Sequence, residues 1–526
     1  MKRSRTVFLL LLVPLFAGGF LLRDATSDDG PRLFGEVLSL VSDRFVDTLD
    51  AAALYEKAAR GLVEELNDPY ADLFTPAQLR EFNKTTGGRY AGIGLLIEDV
   101  RGVIRVNTVY PKTPAEQGGV QAGDRVVQVD STPTRGLSLS KVSSMLLGTP
   151  GTKVRVLFSR PGVTEPIELR LTRAVVHIPA VPYALLVGGD VGYVPVQQFN
   201  ETAAREVSTA VARLTREGAR GLVLDLRGNG GGYLDQALVM SNLFLPKGAP
   251  LLSVRYRGAP ADEVAAERDP QIPTVPLVVL TDEGTASASE IVAGALQDHD
   301  RALLVGTTSF GKGLVQSLFP LEGGYALKMT TGKWYTPSGR SIHKDRQFVA
   351  GRFVEESSDS LETEAVKKDR PVYRSDAGRT VYGGGAITPD VIVPEDTVST
   401  GEQQLFRVLA PKSAELFGVL GQYAVDLQPT VKQPAAMVTD AWREELYTRL
   451  KAAGIQVERA QWDAGRPSID RLLRRRVLQV AFGDSTARRV ELQDDAQFQT
   501  ALRALRNART QRELFAAAPT LPPGAP

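Results

Sequence analysis

The sequence predicts a multidomain α/β protein, with a layered α/β core, an inserted small β domain and helical segments on either side. Between residues 177 and about 400, short apolar runs alternate with amphipathic helical patterns, as expected for strands covered by helices. Residues 85–176 instead contain short alternating strands separated by turns. The 526 residues, 43% of them hydrophobic and 23% charged, are enough for several globular domains.

Composition excludes several classes of function. The chain has 62 basic and 61 acidic residues, so its formal net charge of +1 provides no bulk attraction to nucleic acid. It has no cysteine, which excludes disulfides, thiolate metal sites and a cysteine nucleophile. We expect no metal, no cofactor and no nucleic-acid partner.

Residues 1–28 have the layout of an export signal or membrane anchor, because a basic start precedes an apolar run from Thr6 to Leu22. The run is at the short end of what spans a bilayer, and no clear Ala-x-Ala precedes Asp24. An uncleaved anchor is slightly favoured over a cleaved signal. In either case we expect an exported protein, located in the periplasm or cell envelope.

Residues 29–84 carry apolar positions at helical spacing, broken at Asn67-Asp68-Pro69, and predict a small N-terminal helical subdomain. Residues 401–526 repeat helical patterns and end in a Pro-rich tail. We expect this C-terminal appendage to be a cap or an assembly surface, which leaves a homo-oligomer through the helical regions open. The polar stretch Glu355 to Asp369 predicts a mobile surface insertion.

Residues 85–176 combine four short strands with one helical segment, Ser138 to Leu147. The segment Gly119 to Asp130, with its Gly-Asp-Arg-Val sequence, and the loop Tyr90-Ala-Gly-Ile-Gly-Leu95 resemble a PDZ domain. The resemblance implies that a peptide's end is added as a strand and that its carboxylate binds the amides of Gly92, Ile93 and Gly94. A generic small β-barrel is the alternative.

The stretch Thr281 to Gln316 places two reactive side chains at strand ends. Ser287 lies where a helix begins after the apolar run Val275 to Leu280, beside free amide groups. A second apolar strand leads to Phe310-Gly311-Lys312-Gly313, where flanking glycines permit a tight turn. Taken separately, the serine is more simply an N-cap and the lysine a solvated turn residue.

Taken together, these two motifs resemble the signature of the C-terminal processing peptidases, also called tail-specific proteases. The resemblance implies a serine-protease core over residues 177–400, with Ser287 as nucleophile and Lys312 as general base. It also implies that Gln316 binds the lysine amine and that Asp298, at the end of the helix, has a supporting role. These four residues are all present in the sequence.

The run Asp225-Leu-Arg-Gly-Asn-Gly-Gly-Gly232 resembles a further element of that family, Asp-Leu-Arg-x-Asn-x-Gly-Gly. The resemblance implies an oxyanion hole formed by the Ala288 amide and by Gly231 or Gly232. Glycine stands at position 230, where relatives often have proline, so the choice between the two glycines stays open.

The predicted function is therefore a serine endopeptidase that cleaves exported proteins near apolar C-termini. Two other classes remain: a catalytically silent PDZ scaffold of the cell envelope, and an acyl-thioester enzyme that uses glycine amides as oxyanion donors. Within the protease hypothesis, His299 near the serine's helix is the competing base.

Overall fold

The computed structural model describes residues 29–100, 102–160, 163–272, 274–344, 346–349, 352–355, 370–394 and 398–518. The predicted signal or anchor (1–28), nearly all of the polar insertion and the end of the Pro-rich tail lie outside the described residues. Among the helices of the described ranges, none is both long and apolar enough to cross a bilayer.

The regular elements are numbered in chain order. The helices are α1 (Asp29–Arg44), α2 (Ala51–Glu64), α3 (Pro76–Gly87), α4 (Pro114–Gln117), α5 (Leu139–Leu146), α6 (Ala203–Arg216), α7 (Leu234–Asn242), α8 (Ala288–Asp298), α9 (Thr400–Leu409), α10 (Ser413–Leu427), α11 (Asp440–Ala452), α12 (Arg459–Ala464), α13 (Arg466–Phe482), α14 (Asp484–Glu491), α15 (Ala496–Arg506) and α16 (Gln511–Ala517). The strands are β1 (Asp72–Phe74), β2 (Arg89–Gly92), β3 (Leu95–Val100), β4 (Val103–Val109), β5 (Arg125–Val129), β6 (Thr132–Pro133), β7 (Lys153–Ser159), β8 (Ile167–Thr172), β9 (Ala174–His177), β10 (Leu185–Val187), β11 (Val191–Pro195), β12 (Gly221–Asp225), β13 (Pro250–Tyr256), β14 (Asp262–Ala265), β15 (Leu277–Thr281), β16 (Leu303–Gly306), β17 (Leu314–Pro320), β18 (Ala326–Tyr335), β19 (Arg346–Val349), β20 (Arg352–Glu355), β21 (Val372–Arg374), β22 (Thr380–Tyr382) and β23 (Val391–Ile392).

The described residues form two compact units, of which the smaller contains residues 29–79 together with 316–330. In this unit β1 pairs antiparallel with the first residues of β18, so that Phe74 lies opposite Ala326. The Tyr325 hydroxyl donates to Glu56 at 2.8 Å. The sequence pattern predicts that residues 316–330 belong to the central core, whereas the structure groups them with the N-terminal helices through strand pairing, which a local pattern does not reveal.

Within the larger unit, residues 89–177 form the predicted PDZ domain. Its main sheet has the order β3-β4-β5-β7-β8, with β6 paired to β5, and β2 pairs separately with β9. The Ser138 hydroxyl accepts from the Lys141 amide and so begins α5, which buries Val142 and Leu146. Strand β3 is at the edge of this sheet, beside α5.

The other face of the PDZ sheet packs against the C-terminal helices. Val100 of β3 packs directly on Gly418 of α10. A Cβ atom at position 418 would lie 2.3 Å from the Cγ1 atom of Val100. Arg125 donates to Gln422 at 3.4 Å, and Glu98 lies 3.9 Å from the Arg476 guanidinium. Helices α10 and α13 therefore hold the PDZ domain from the side opposite its own core.

The α/β core is built on a six-stranded sheet of order β10-β11-β12-β15-β16-β23. Its neighbouring strands are parallel from β11 to β23, and β10 alone is antiparallel to its neighbour. Helices α6, α7 and α8 cover one face, and α8 has all of its residues buried. Because both faces are covered, the central strands are apolar throughout, as their sequences predicted.

The second face of this sheet is covered by the end of the chain. Helix α15 packs Phe498 against Tyr193 of β11 in an edge-to-face contact of 5.4 Å, and Leu502 and Leu505 join the same cluster. Residues 399–482 instead form a separate helical core around Leu446, which also contains Leu405, Leu409, Leu420, Tyr423, Leu450, Trp462, Ile469 and Leu473. The predicted C-terminal appendage is thus divided: its last part completes the α/β core.

We predict that Phe498→Ala destabilises the protein by about 3–5 kcal/mol, because a fully buried ring is removed from the contact between α15 and the sheet. Phe417→Ala on α10 is the matched control, since that side chain is 52% exposed. Thermal unfolding of both variants measures the difference. Equal, small effects would mean that α15 does not belong to the core.

Candidate active site

Ser287 lies between the end of β15 and the start of α8, as the N-cap of that helix. Its backbone has φ 55° and ψ −114°, a conformation that a residue with a side chain rarely adopts. It is partly exposed, whereas Ala288 and Ser289 are buried. The strained turn therefore places this hydroxyl at the open end of an otherwise buried helix, as nucleophiles on strand-to-helix turns require.

Glu290 joins the serine to the lysine loop. Its Oε2 accepts the amides of Ser287 and Lys312, each at 2.8 Å, and its Oε1 accepts the Gly311 amide and the Ser309 hydroxyl, each at 2.6 Å. The side chain is fully buried, and this burial raises the pKa of Glu290, while the four donors oppose the shift by stabilising the carboxylate. A single carboxylate thus fixes the backbones of both candidate catalytic residues.

Glu290 was not among the functional residues predicted from the sequence. The only local signal was the Ser-x-x-Glu spacing of a capping box, in which the glutamate binds the amide of the N-cap residue. That spacing accounts for one of the four bonds. The other three come from a loop some twenty residues further along the chain, and only the folded structure brings them to the carboxylate.

The loop around Lys312 is held closely on both sides. Gly311 has φ 89°, and a Cβ atom there would lie 2.8 Å from Lys344, while one at Gly313 would lie 3.0 Å from the His343 backbone. The Trp334 indole donates to the Lys312 carbonyl at 3.1 Å. Both flanking glycines are needed because the chain passes too close to its neighbours for a side chain.

The glycine-rich loop after β12 lies directly on the serine's helix. The Ala286 amide and the Ser289 hydroxyl both donate to the Asn229 carbonyl, at 3.0 and 2.9 Å. Gly231 has φ 100°, and a Cβ atom there would lie 2.9 Å from both the Ser287 Cβ and the Ala288 nitrogen. The structure therefore brings the predicted oxyanion loop against the predicted nucleophile.

The two candidate glycines differ in how their amides are used. The Gly231 amide donates to the Asn229 side chain at 2.9 Å. The Phe199 amide donates to the Gly231 carbonyl and the Tyr233 amide donates to the Phe199 carbonyl, which makes a parallel bridge between Phe199 and Gly232. In such a bridge the amide of the middle residue, Gly232, points away from Phe199.

Asp225 and Arg227, which begin this motif, bind the C-terminal helices. Arg227 pairs with Asp225 at 2.7 Å and with Asp495, the N-cap of α15, at 2.8 Å. Burial opposes ionisation of Asp225, but the guanidinium groups of Arg227 and Arg488 lower the pKa of this carboxyl. The charged residues of the motif therefore anchor its glycines to the end of the chain.

The remaining candidate residues lie elsewhere on these elements. Gln316 is in β17, with its Nε2 3.5 Å from the Thr330 hydroxyl. Asp298 is buried at the far end of α8, where it pairs with Arg340 at 2.7 Å. Since eleven helical residues span about 16 Å, Asp298 is not beside Ser287.

His299 follows Asp298 and is equally remote from the serine. Its Nδ1 lies 2.7 Å from Asp376 and its Nε2 2.7 Å from the Pro250 carbonyl, so both ring nitrogens have partners. This geometry does not support His299 as the base for Ser287.

The predicted carboxylate loop connects β2 to β3. The Ile93 carbonyl accepts from Ala115 at 2.9 Å and the Gly94 carbonyl from Tyr110 at 3.0 Å, so both carbonyls point into the domain. Across a trans peptide bond the N–H points the opposite way, which turns the amides of Gly94 and Leu95 outward. The geometry thus adds the Leu95 amide to the set predicted from the sequence, Gly92, Ile93 and Gly94.

Comparison with known proteins identifies the family. The model of peptidase family S41 matches residues 190–348, and a PDZ domain model matches residues 105–160. The chain is 32% identical to carboxy-terminal processing protease CtpA of Bacillus subtilis (strain 168), over 65% of this chain and 76% of the relative. It is 36% identical to the carboxy-terminal-processing protease of Bartonella bacilliformis, over 59% of this chain and 71% of the relative. A solved structure, the photosystem II D1 C-terminal processing protease, is 31% identical over 59% of this chain and 89% of that chain, with a TM-score of 0.34. Its relatives, its S41 core and its PDZ domain together show that this chain is a serine peptidase of the carboxy-terminal processing protease family.

Proposed function

We propose that this protease cleaves protein substrates near their C-termini with a Ser287-Lys312 dyad. The observation that carries the proposal is the shared Glu290 carboxylate, which binds the amides of both residues. In the reaction, the Ser287 hydroxyl attacks the scissile carbonyl carbon and gives its proton to the neutral Lys312 amine. The resulting ammonium then protonates the leaving amine, and water releases the acyl group from the serine.

The negative oxygen of the tetrahedral intermediate needs fixed hydrogen-bond donors. The Ala288 amide is the first backbone donor of α8, at the end where the helix dipole favours negative charge. We assign the second donor to Gly232, because the Gly231 amide is already bonded to Asn229. Gln316 remains our candidate for orienting the amine of Lys312, and Asp298 supports the site indirectly by fixing the far end of α8.

We predict that Ser287→Ala and Lys312→Ala each abolish cleavage of an unfolded peptide while the protein stays folded. Lys312→Arg should also fail, because a guanidinium stays protonated and cannot accept the serine's proton. His299→Ala is the control and should retain activity, since both ring nitrogens are engaged away from the serine. If the lysine variants turned over substrate and the His299→Ala enzyme were inactive, the base would be His299 and the proposed dyad would be wrong.

Glu290 acts as a positioning residue in this proposal. We predict that Glu290→Gln lowers kcat about 100-fold or more, because an amide nitrogen would face donors that now bind a carboxylate oxygen and would displace both backbones. Glu283→Gln makes the same chemical change at an exposed position of the same loop and should leave kcat unchanged. Steady-state rates on one peptide, with circular dichroism as the folding check, compare the two. Equal rates for both variants would show that the carboxylate is not needed to hold the site.

The substrate's C-terminus is proposed to bind as an added strand on the edge of β3. The outward amides of Gly94 and Leu95 supply donors to its carboxylate, and Leu139 and Met145 of α5 provide apolar surface beside the strand. Val142, on the same helix, is instead buried in the core of the domain. The preferred substrates therefore end in a free carboxylate after apolar residues.

We predict that amidating such a peptide weakens its binding at least tenfold, because the loop amides lose their charged acceptor. The measurement is fluorescence anisotropy of a labelled peptide on the full-length Ser287→Ala protein, which binds without cleavage. A matched peptide with a free acid but a charged last residue tests the apolar preference. Equal affinities for the free-acid and amidated peptides would remove the carboxylate from the recognition mechanism.

A further inference from the structure

The open edge of the PDZ sheet begins with the carbonyl of Leu95. Strand β3 is the first strand of its sheet, with β4 as its neighbour on one side. The Tyr110 amide donates to the Gly94 carbonyl, so that carbonyl faces inward, towards β4. Successive carbonyls point to opposite sides of an extended strand, and the carbonyl of Leu95 therefore faces the open edge.

A tyrosine of the same domain already binds this carbonyl. The Tyr90 hydroxyl, from β2, donates to the Leu95 oxygen at 3.3 Å. Tyr90 lies two residues before the carboxylate loop, and it was part of the sequence by which we recognised that loop. Nothing in the sequence pattern gave this side chain a separate role.

The position of the Tyr90 ring is defined by its surroundings. It packs on Gly92, where a Cβ atom would lie 2.9 Å from the ring, and makes an edge contact of 6.4 Å with Tyr110. Lys84 of α3 lies 5.8 Å from the ring centre. Burial among these groups raises the pKa of the Tyr90 phenol, so the hydroxyl remains a protonated donor at neutral pH.

A bound C-terminus needs the same acceptor. Once its carboxylate is on the amides of Gly94 and Leu95, the peptide runs antiparallel along β3, and the N–H of its last residue is directed at the Leu95 carbonyl. The Tyr90 hydroxyl stands on that side of the strand. The two donors therefore compete for one oxygen at the edge of the sheet.

We propose that Tyr90 is an internal competitor of the substrate, which closes the first hydrogen-bonding position of the PDZ groove until a C-terminus displaces its hydroxyl. The proposal rests on the peptide binding proposed above and adds a residue that lowers its affinity. Because displacement costs a hydrogen bond, a peptide binds here only when its other contacts, such as that of its carboxylate with the loop amides, offset that cost.

The test compares Tyr90→Phe with its parent, the full-length Ser287→Ala protein, using a labelled peptide that has a free apolar C-terminus. Removing the hydroxyl keeps the packed ring but removes the competing donor. We expect about two- to tenfold tighter binding, the equivalent of one ordinary hydrogen bond.

Tyr110→Phe is the matched control, because it alters the neighbouring ring without touching the Leu95 carbonyl, and its affinity should equal the parent's. Unchanged or weaker binding by Tyr90→Phe would overturn the proposal, since weaker binding would mean that the hydroxyl helps to hold the peptide. If neither parent nor variant binds the peptide, the proposed peptide-binding function fails and the competitor role fails with it. Equal binding by the two overturns the competitor role alone.

Discussion

The buried carboxylate of Glu290 is the interaction on which the geometry of the candidate active site depends. Burying a carboxylate without partners would be prohibitively costly, and this one is retained because four donors surround it. Three of those donors are backbone amides, which cannot rotate away as side chains can. The position of the carboxylate therefore determines the backbone positions of Ser287 and of the Lys312 loop.

A second layer of structure fixes the glycine loop that faces the serine. Its amides and carbonyls are bonded to the serine's own loop, through Asn229 and through Asp282, which binds the Gly228 amide. Its charged residues are bonded to α15, at the opposite end of the chain. The C-terminal helices thus contribute to the candidate active site without supplying a reactive group, since they hold the base of the loop that carries the proposed oxyanion donor.

The edge and the outer face of the PDZ sheet have different surroundings. The edge of its sheet at β3 is the proposed position of the peptide, while the other face packs on α10 and α13 through the Gly418 contact and the pair Glu98 and Arg476. Glu98, which faces Arg476, lies on the same strand as the Leu95 carbonyl. Any movement of this strand on peptide binding would therefore change the contact between the PDZ domain and helices α10 and α13.

The sequence by itself determined the local elements and predicted the candidate catalytic residues. Buried parallel strands such as β12 and β15 are apolar along their length, and Ser138 begins α5 through its own side chain, so both are encoded within a few residues. The serine and lysine motifs were recognisable because each depends on nearby small residues. Tertiary structure alone decided the role of Glu290, the use of α15 as the second cover of the sheet and the binding of Tyr90 to Leu95. In each of these cases the partners are brought together by folding: a helical pattern specifies that one face must be buried but not against what, and a polar side chain does not specify which distant amides or carbonyls it will meet.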